Sequence, residues 1–145
     1  MNHLKNLVYA LAVAAVFSAH AGSYEDFFIA IKNDNASNLA GLLERGFDVN
    51  TRDPKGQPGL TMALQQGSSK TVKTLIDRPG IDINALNSAG ESPLMMAAQY
   101  GSENSVDLLL ARGADVNRKN QVGLRAVDFA KLSGREPLVK KLGRP

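Results

Sequence analysis

"SAGESPLMMAAQYGSENSVDLLLARGADVN", residues Ser88 to Asn117, decides the fold. Ser92 followed by Pro93 has the form of an N-cap and the first residue of a helix. Leu94, Ala97 and Ala98 give that helix a short apolar face, and its small side chains let a second helix approach closely. Gly101 is expected to close the helix in a left-handed turn. Ser102 caps a second helix, on which Val106, Leu109 and Leu110 recur at helical spacing. Gly113 ends it, and Ala114 to Gly123 runs extended to a polar tip. The unit reads as helix, turn, helix and projecting hairpin loop.

The chain writes this unit more than once. "RGFDVN" at Arg45 to Asn50 and "RPGIDIN" at Arg78 to Asn84 precede "RGADVN" at Arg112 to Asn117. Aligning Gly90 with Gly56 brings Gly101 onto Gly67. Aligning it with Gly123 brings Gly101 onto Gly134 and Val106 onto Val139. The period is 33 to 34 residues, the extra residue being Pro79 or its neighbour. A fixed period of this length specifies a stacked repeat array. In the loop, Asp115 and Asn117 are placed to hydrogen-bond backbone groups. A row of metal-binding carboxylates at Asp48, Asp82 and Asp115 is not favoured, because the three fall on separate stacked units.

At this point the chain resembles the ankyrin-repeat proteins. The family pattern is matched by Gly90, Ser92-Pro93-Leu94-Met95, Ala97-Ala98, Gly101, Val106-Leu109-Leu110 and Gly113-Ala114-Asp115-Val116-Asn117, and the match runs from about Tyr24 to Leu142. The resemblance implies an all-α repeat solenoid of about four ankyrin repeats, at approximately 24-54, 55-87, 88-120 and 121-145. The sequence departs from the pattern in places. Thr61, Met95 and Asp128 stand where the family has histidine, which alters or removes a hydrogen bond across repeats. The second unit reads Gln57-Pro58-Gly59-Leu60, so its first helix should be the least well specified. The terminal units drift furthest, as capping repeats with a polar outer side do.

The first residues are read separately. "MNHLKNLVYALAVAAVFSAHA" has a polar start with Lys5, an apolar run from Leu7 to Phe17 and a small-residue site at Ala19-His20-Ala21. This is the pattern of a secretory signal peptide over 1-21, with cleavage after Ala21 and the repeat domain over 22-145. The alternative is a retained anchor, but the run is shorter than the roughly 20 residues that a crossing needs. Both histidines, His3 and His20, fall in the leader, and the chain has no cysteine or tryptophan. No disulfide supports the fold, so packing must.

That inventory bounds the chemistry. Without His or Cys after residue 21, Ser-His-Asp and Cys-His arrangements and His/Cys zinc sites have no residues to use. No phosphate-cradling glycine motif occurs. The expectation is a protein that is not an enzyme and has no cofactor or metal. A haem or small-ligand carrier is the second reading, with Met62, Met95, Met96, Tyr24 and Tyr100 as the available ligands. For Met95 and Met96 the competing role is filling a gap in the stack.

Charge is uneven. From Gly22 to Asn117 there are 8 Lys/Arg against 12 Asp/Glu; from Arg118 onward there are 8 against Asp128 and Glu136. A basic end steers toward an acidic partner, anionic lipid or nucleic acid, or it is a solvated end-cap. Without interleaved aromatic residues the end-cap reading is preferred.

The resemblance places a partner across the hairpin tips and inner helices. Here the tips carry Lys55, Gln57, Glu91, Gln121 and the neighbouring Arg118 and Lys119, and the inner helices carry Gln65, Gln66, Gln99 and Tyr100. Tyr100 leads, being central, aromatic and of a type enriched at hot spots, with packing against the next repeat as its other role. The expectation is thus a monomeric, exported protein-protein interaction module whose partner is another protein, with no nucleic acid and no membrane association after cleavage. A cysteine-free chain behind a short leader suits the periplasm, with release to the outside as an effector or inhibitor as the alternative. Resemblance to exported bacterial members extends to supporting a stress-defence partner such as a catalase.

Overall fold

The computed structural model describes residues 22–144; the expected leader at 1-21 lies outside the described residues. Among the described residues eight helices follow one another in four pairs. They are α1 (22–32) with α2 (Ala36–Glu44), α3 (Gly59–Gln66) with α4 (Ser69–Asp77), α5 (Pro93–Tyr100) with α6 (Glu103–Ala111), and α7 (Ala126–Leu132) with α8 (Glu136–Leu142). No strand is present among the described residues; one isolated bridge joins Arg52 to Pro58. The architecture is an all-helical repeat solenoid.

The odd-numbered helices form an inner row in which α5 packs between α3 and α7, and α4 packs between α2 and α6 in the outer row. One continuous core runs through the stack from Phe27 through Leu60, Leu64, Leu94, Val106 and Leu109 to Leu138 and Leu142. Each fully buried Leu-sized side chain contributes about 1.5–3 kcal/mol, so the stack holds without disulfides.

The third pair begins as its sequence specifies. Ser92 Oγ accepts from the Met95 N–H at 3.3 Å with Pro93 in the first turn, and Ser102 Oγ accepts from the Ser105 N–H at 3.1 Å. The family's histidine position is resolved differently in each unit. Met95 sulfur accepts from the Ser92 N–H at 3.4 Å, and Asp128 Oδ2 accepts from the Arg125 N–H at 2.8 Å. The Thr61 hydroxyl is buried with no hydrogen-bond partner among the described residues.

In the second pair, Pro58 caps α3 without a side-chain bond, and Gly59 is its first residue. The weak start has a packing reason. A Cβ at Gly59 would stand 2.6 Å from the Phe27 ring and 3.1 Å from Ile31 Cδ1.

One expectation is corrected. Gly101 is not left-handed: φ is −80° and ψ 174°. At the equivalent positions Gly67 and Gly134 have φ of 70° and 66°, and the next residue's N–H closes the turn onto Ala63 and Ala130. In the third unit that closing bond is replaced from outside. The Arg135 guanidinium donates to the carbonyls of Ala97 (3.0 Å), Ala98 (3.1 Å) and Gly101. Gly101 is still required, because a Cβ there would lie 2.8 Å from Ala97 Cα.

Candidate functional site

The loops that carry the repeated motif are built first for the fold. Asp48, Asp82 and Asp115 each accept from the N–H two residues on, at Asn50, Asn84 and Asn117, at 2.8, 3.1 and 2.9 Å. The asparagine then reaches into the next repeat. Asn50 Nδ2 donates to the Gly80 carbonyl and its Oδ1 accepts from the Asp82 N–H, both at 2.8 Å. Asn84 does the same to Gly113 (3.5 Å) and Asp115 (2.9 Å). Arginines reach back the other way: Arg78 to the Leu43 carbonyl (2.7 Å) and Arg112 to Ile76 (2.8 Å).

The tips are held by one residue that the sequence reading placed there, Asp53, and by two that it passed over, Asn87 and Asn120. Asp53, Asn87 and Asn120 each accept two backbone N–H groups of their own tip through one side-chain oxygen. The signal was available: each stands three residues before a tip glycine, at Gly56, Gly90 and Gly123.

On this scaffold the candidate residues divide into three groups. Gln57, Glu91 and Gln121 are engaged in holding the tips: Gln57 Nε2 donates to Gln65 Oε1 (2.7 Å), Glu91 Oε2 accepts from Asn87 Nδ2 (2.9 Å), and Gln121 Nε2 donates to the Ser88 carbonyl (3.0 Å). Gln66, Gln99, Tyr100 and Lys55 have no side-chain hydrogen bond among the described residues. Gln66 and Tyr100 occupy equivalent positions on the packed helices α3 and α5, about 8–10 Å apart. Tyr100 is 49% exposed, so its ring is not consumed by packing. Gln65, exposed beside Gln66, joins this strip.

Arg118 and Lys119 form the third group and belong elsewhere. By the repeat register they fall where the second unit has buried Ala85 and partly buried Leu86. Lys131 and Lys141 likewise replace Ala98 and Leu108. Arg118, Lys119 and Lys131 are exposed, whereas Lys141 is half-buried and turns back to the preceding helix pair. Lys141 is tied to Asp107 at 2.6 Å; Arg118, Lys119 and Lys131 have no side-chain partner among the described residues.

The residues named for a carrier role are mostly in the core. Met62, Met95 and Met96 are buried, and the Tyr24 hydroxyl donates to the Arg52 carbonyl at 3.0 Å. Among the described residues no group of three or more carboxylates, histidines or cysteines is placed to hold a metal ion, and no helix is long and apolar enough to cross a membrane. One carboxylate is electrostatically distinct. Asp77 is held below its ordinary value, chiefly by the hydrogen bond from Lys73 (2.6 Å), with Arg112 (3.1 Å) adding to it and partial desolvation opposing.

No curated protein matches the chain. The family model described as Ankyrin repeats (3 copies) matches residues 27–120, from the middle of α1 to the loop after α6. With the helix pairs, the loop ladder and the tips all in place, the chain belongs to the ankyrin-repeat family.

Proposed function

We propose that the protein is an exported interaction module that binds another protein through its inner face. Ankyrin repeats are protein-interaction modules, and the reading follows from that together with one observation: the strip of Gln65, Gln66, Gln99 and Tyr100 is left free of structural hydrogen bonds except for the Gln57–Gln65 bond, while the tips around it are pinned. A packed helical scaffold has no loop to order on binding, so the cost is confined to the side-chain freedom of the free amides and the tyrosine. Tyrosine supplies the anchor and the amides supply hydrogen bonds. The leader-like residues 1-21 support export to the periplasm, where a monomer of this kind would serve a soluble partner, including one in stress defence.

The test is affinity capture of the tagged domain from periplasmic extract, beside a Tyr100→Ala, Gln66→Ala variant shown to be folded by circular dichroism. A protein held by the wild type and lost with the variant supports the reading. Equal retention moves the site off the inner face, and a protein found only in the cytoplasm sinks the export reading.

A further inference from the structure

We infer that the inner-face strip takes one kind of partner segment, a proline-rich stretch in the polyproline II conformation laid across α3 and α5. The inference rests on the protein-binding reading and adds the partner's chemistry at that same site.

The first observation is spacing. Gln65 and Gln99 hold equivalent positions one repeat apart, and so do Gln66 and Tyr100. They stand on two helices packed side by side, whose axes lie about 8–10 Å apart. A segment crossing these helices meets the same kind of group once per repeat. A polyproline II helix has three residues per turn and rises about 3.1 Å per residue, so its like-facing residues recur about every 9.3 Å. A β-strand presents like-facing residues about every 6.6 Å and is out of step by the second helix. An α-helix comes near the spacing at about 10.5 Å between residues i and i+7, but its carbonyls are consumed within the helix.

The second observation is what the strip offers. Gln65 Oε1 accepts from Gln57 Nε2 at 2.7 Å, which leaves the N–H groups of Gln65 itself to the surface. The amides of Gln66 and Gln99 and the hydroxyl of Tyr100 have no partner among the described residues, so each of the four positions presents a donor. None of the four side chains is charged. A neutral row of donors is complemented by a row of carbonyl oxygens that carry no internal hydrogen bond. A proline-rich segment supplies these carbonyls with few N–H groups of its own to satisfy. Tyr100 is half-exposed, and aromatic rings are the surface on which such segments dock. The segment is stiff before binding, so little backbone freedom is lost.

The experiment is an NMR titration of the 15N-labelled domain with acetyl-(Pro)9-amide, a probe about 28 Å long when fully polyproline II. A Gly-Ser peptide of the same length and a helical Glu-Ala-Ala-Ala-Lys repeat peptide serve as comparisons. The side-chain amide signals of Gln65, Gln66 and Gln99 and the backbone signal of Tyr100 should shift with the proline peptide alone. The Tyr100→Ala, Gln66→Ala variant should weaken its binding about 10-fold, through one lost ring contact and one lost hydrogen bond. Both positions are exposed, and circular dichroism checks the fold. The affinity should change less than about 2-fold between about 0.01 M and 0.15 M salt, because no ion pair contributes.

No shift with the proline peptide, or equal shifts with the Gly-Ser or helical peptide, would overturn the inference. The inner-face reading survives either result if a protein captured from extract is still lost with the same variant. Shifts confined to the hairpin tips would also overturn it. So would a fall in affinity of more than about 5-fold over that salt range, which would point to a charged segment instead.

Discussion

Phe27 occupies the space that a side chain at position 59 would need. The ring is fully buried, and it packs edge-on against Phe28 and tilted against Phe47, with centroids 5.1 Å away in each case. It cannot swing aside freely. In an ordinary helix Gly→Ala is stabilising, but Gly59→Ala here should destabilise by about 1–3 kcal/mol through overpacking. Chemical denaturation measures this, and adding Phe27→Leu should recover about 1 kcal/mol of the summed losses. Simple additivity of the two changes would refute the contact.

Thr61 offers the opposite change. Its hydroxyl is buried without a partner, so Thr61→Val removes an unmet polar group and keeps the shape. A gain of about 1 kcal/mol, read as a rise in Tm, is expected. A fall in Tm would show that the hydroxyl is satisfied in solution.

The asparagine ladder predicts a gradient along identical motifs. Asn50→Ala removes two short bonds to the next repeat and should cost about 1–2 kcal/mol, and Asn84→Ala about 1 kcal/mol because one of its bonds is long. Asn117→Ala should stay within about 0.5 kcal/mol, since its side chain bridges nothing among the described residues. Equal losses at all three would mean that the motif acts within its own loop.

Asp77 supplies the pH dependence. A carboxylate held below its ordinary value contributes stability above that value and loses it as the pH falls through the folded-state pKa. The carboxyl carbon of Asp77 should therefore titrate in NMR below the usual Asp range, and Lys73→Met should move the midpoint upward. An unchanged midpoint would show that the exposed Lys73 pair is broken in solution.

These residues also show what the sequence discloses and what it hides. The period, the Ser92-Pro93 start and the core positions were legible because each follows from local chemistry repeated at a fixed interval. The weak start at Gly59 was visible as an oddity, but its cause, Phe27, lies a full repeat away. The conformation of Gly101 was misread for a similar reason. Its carbonyl is turned toward Arg135, and nothing near Gly101 in the chain announces that partner. At the candidate site, the repeat positions led to exposed Gln65, Gln66 and Tyr100, and the tip bonds of Gln57, Glu91 and Gln121 were hidden because each partner's placement depends on the folded turn.

The Arg135 clamp has a bearing on cooperativity. The joints between the first three units are each pinned by an asparagine reaching forward and an arginine reaching back. The last joint has no asparagine bridge; beyond apolar packing it is tied by the Arg135 guanidinium grouped over three carbonyls, by the Lys141–Asp107 pair, and by Gln121 bonded to the Ser88 and Ala89 carbonyls at the tips. In a linear array, whether neighbours melt together is set by the joint between them. Arg135, with the most bonds across that joint, therefore weighs most on whether the stack unfolds as one body or sheds its final helix pair first.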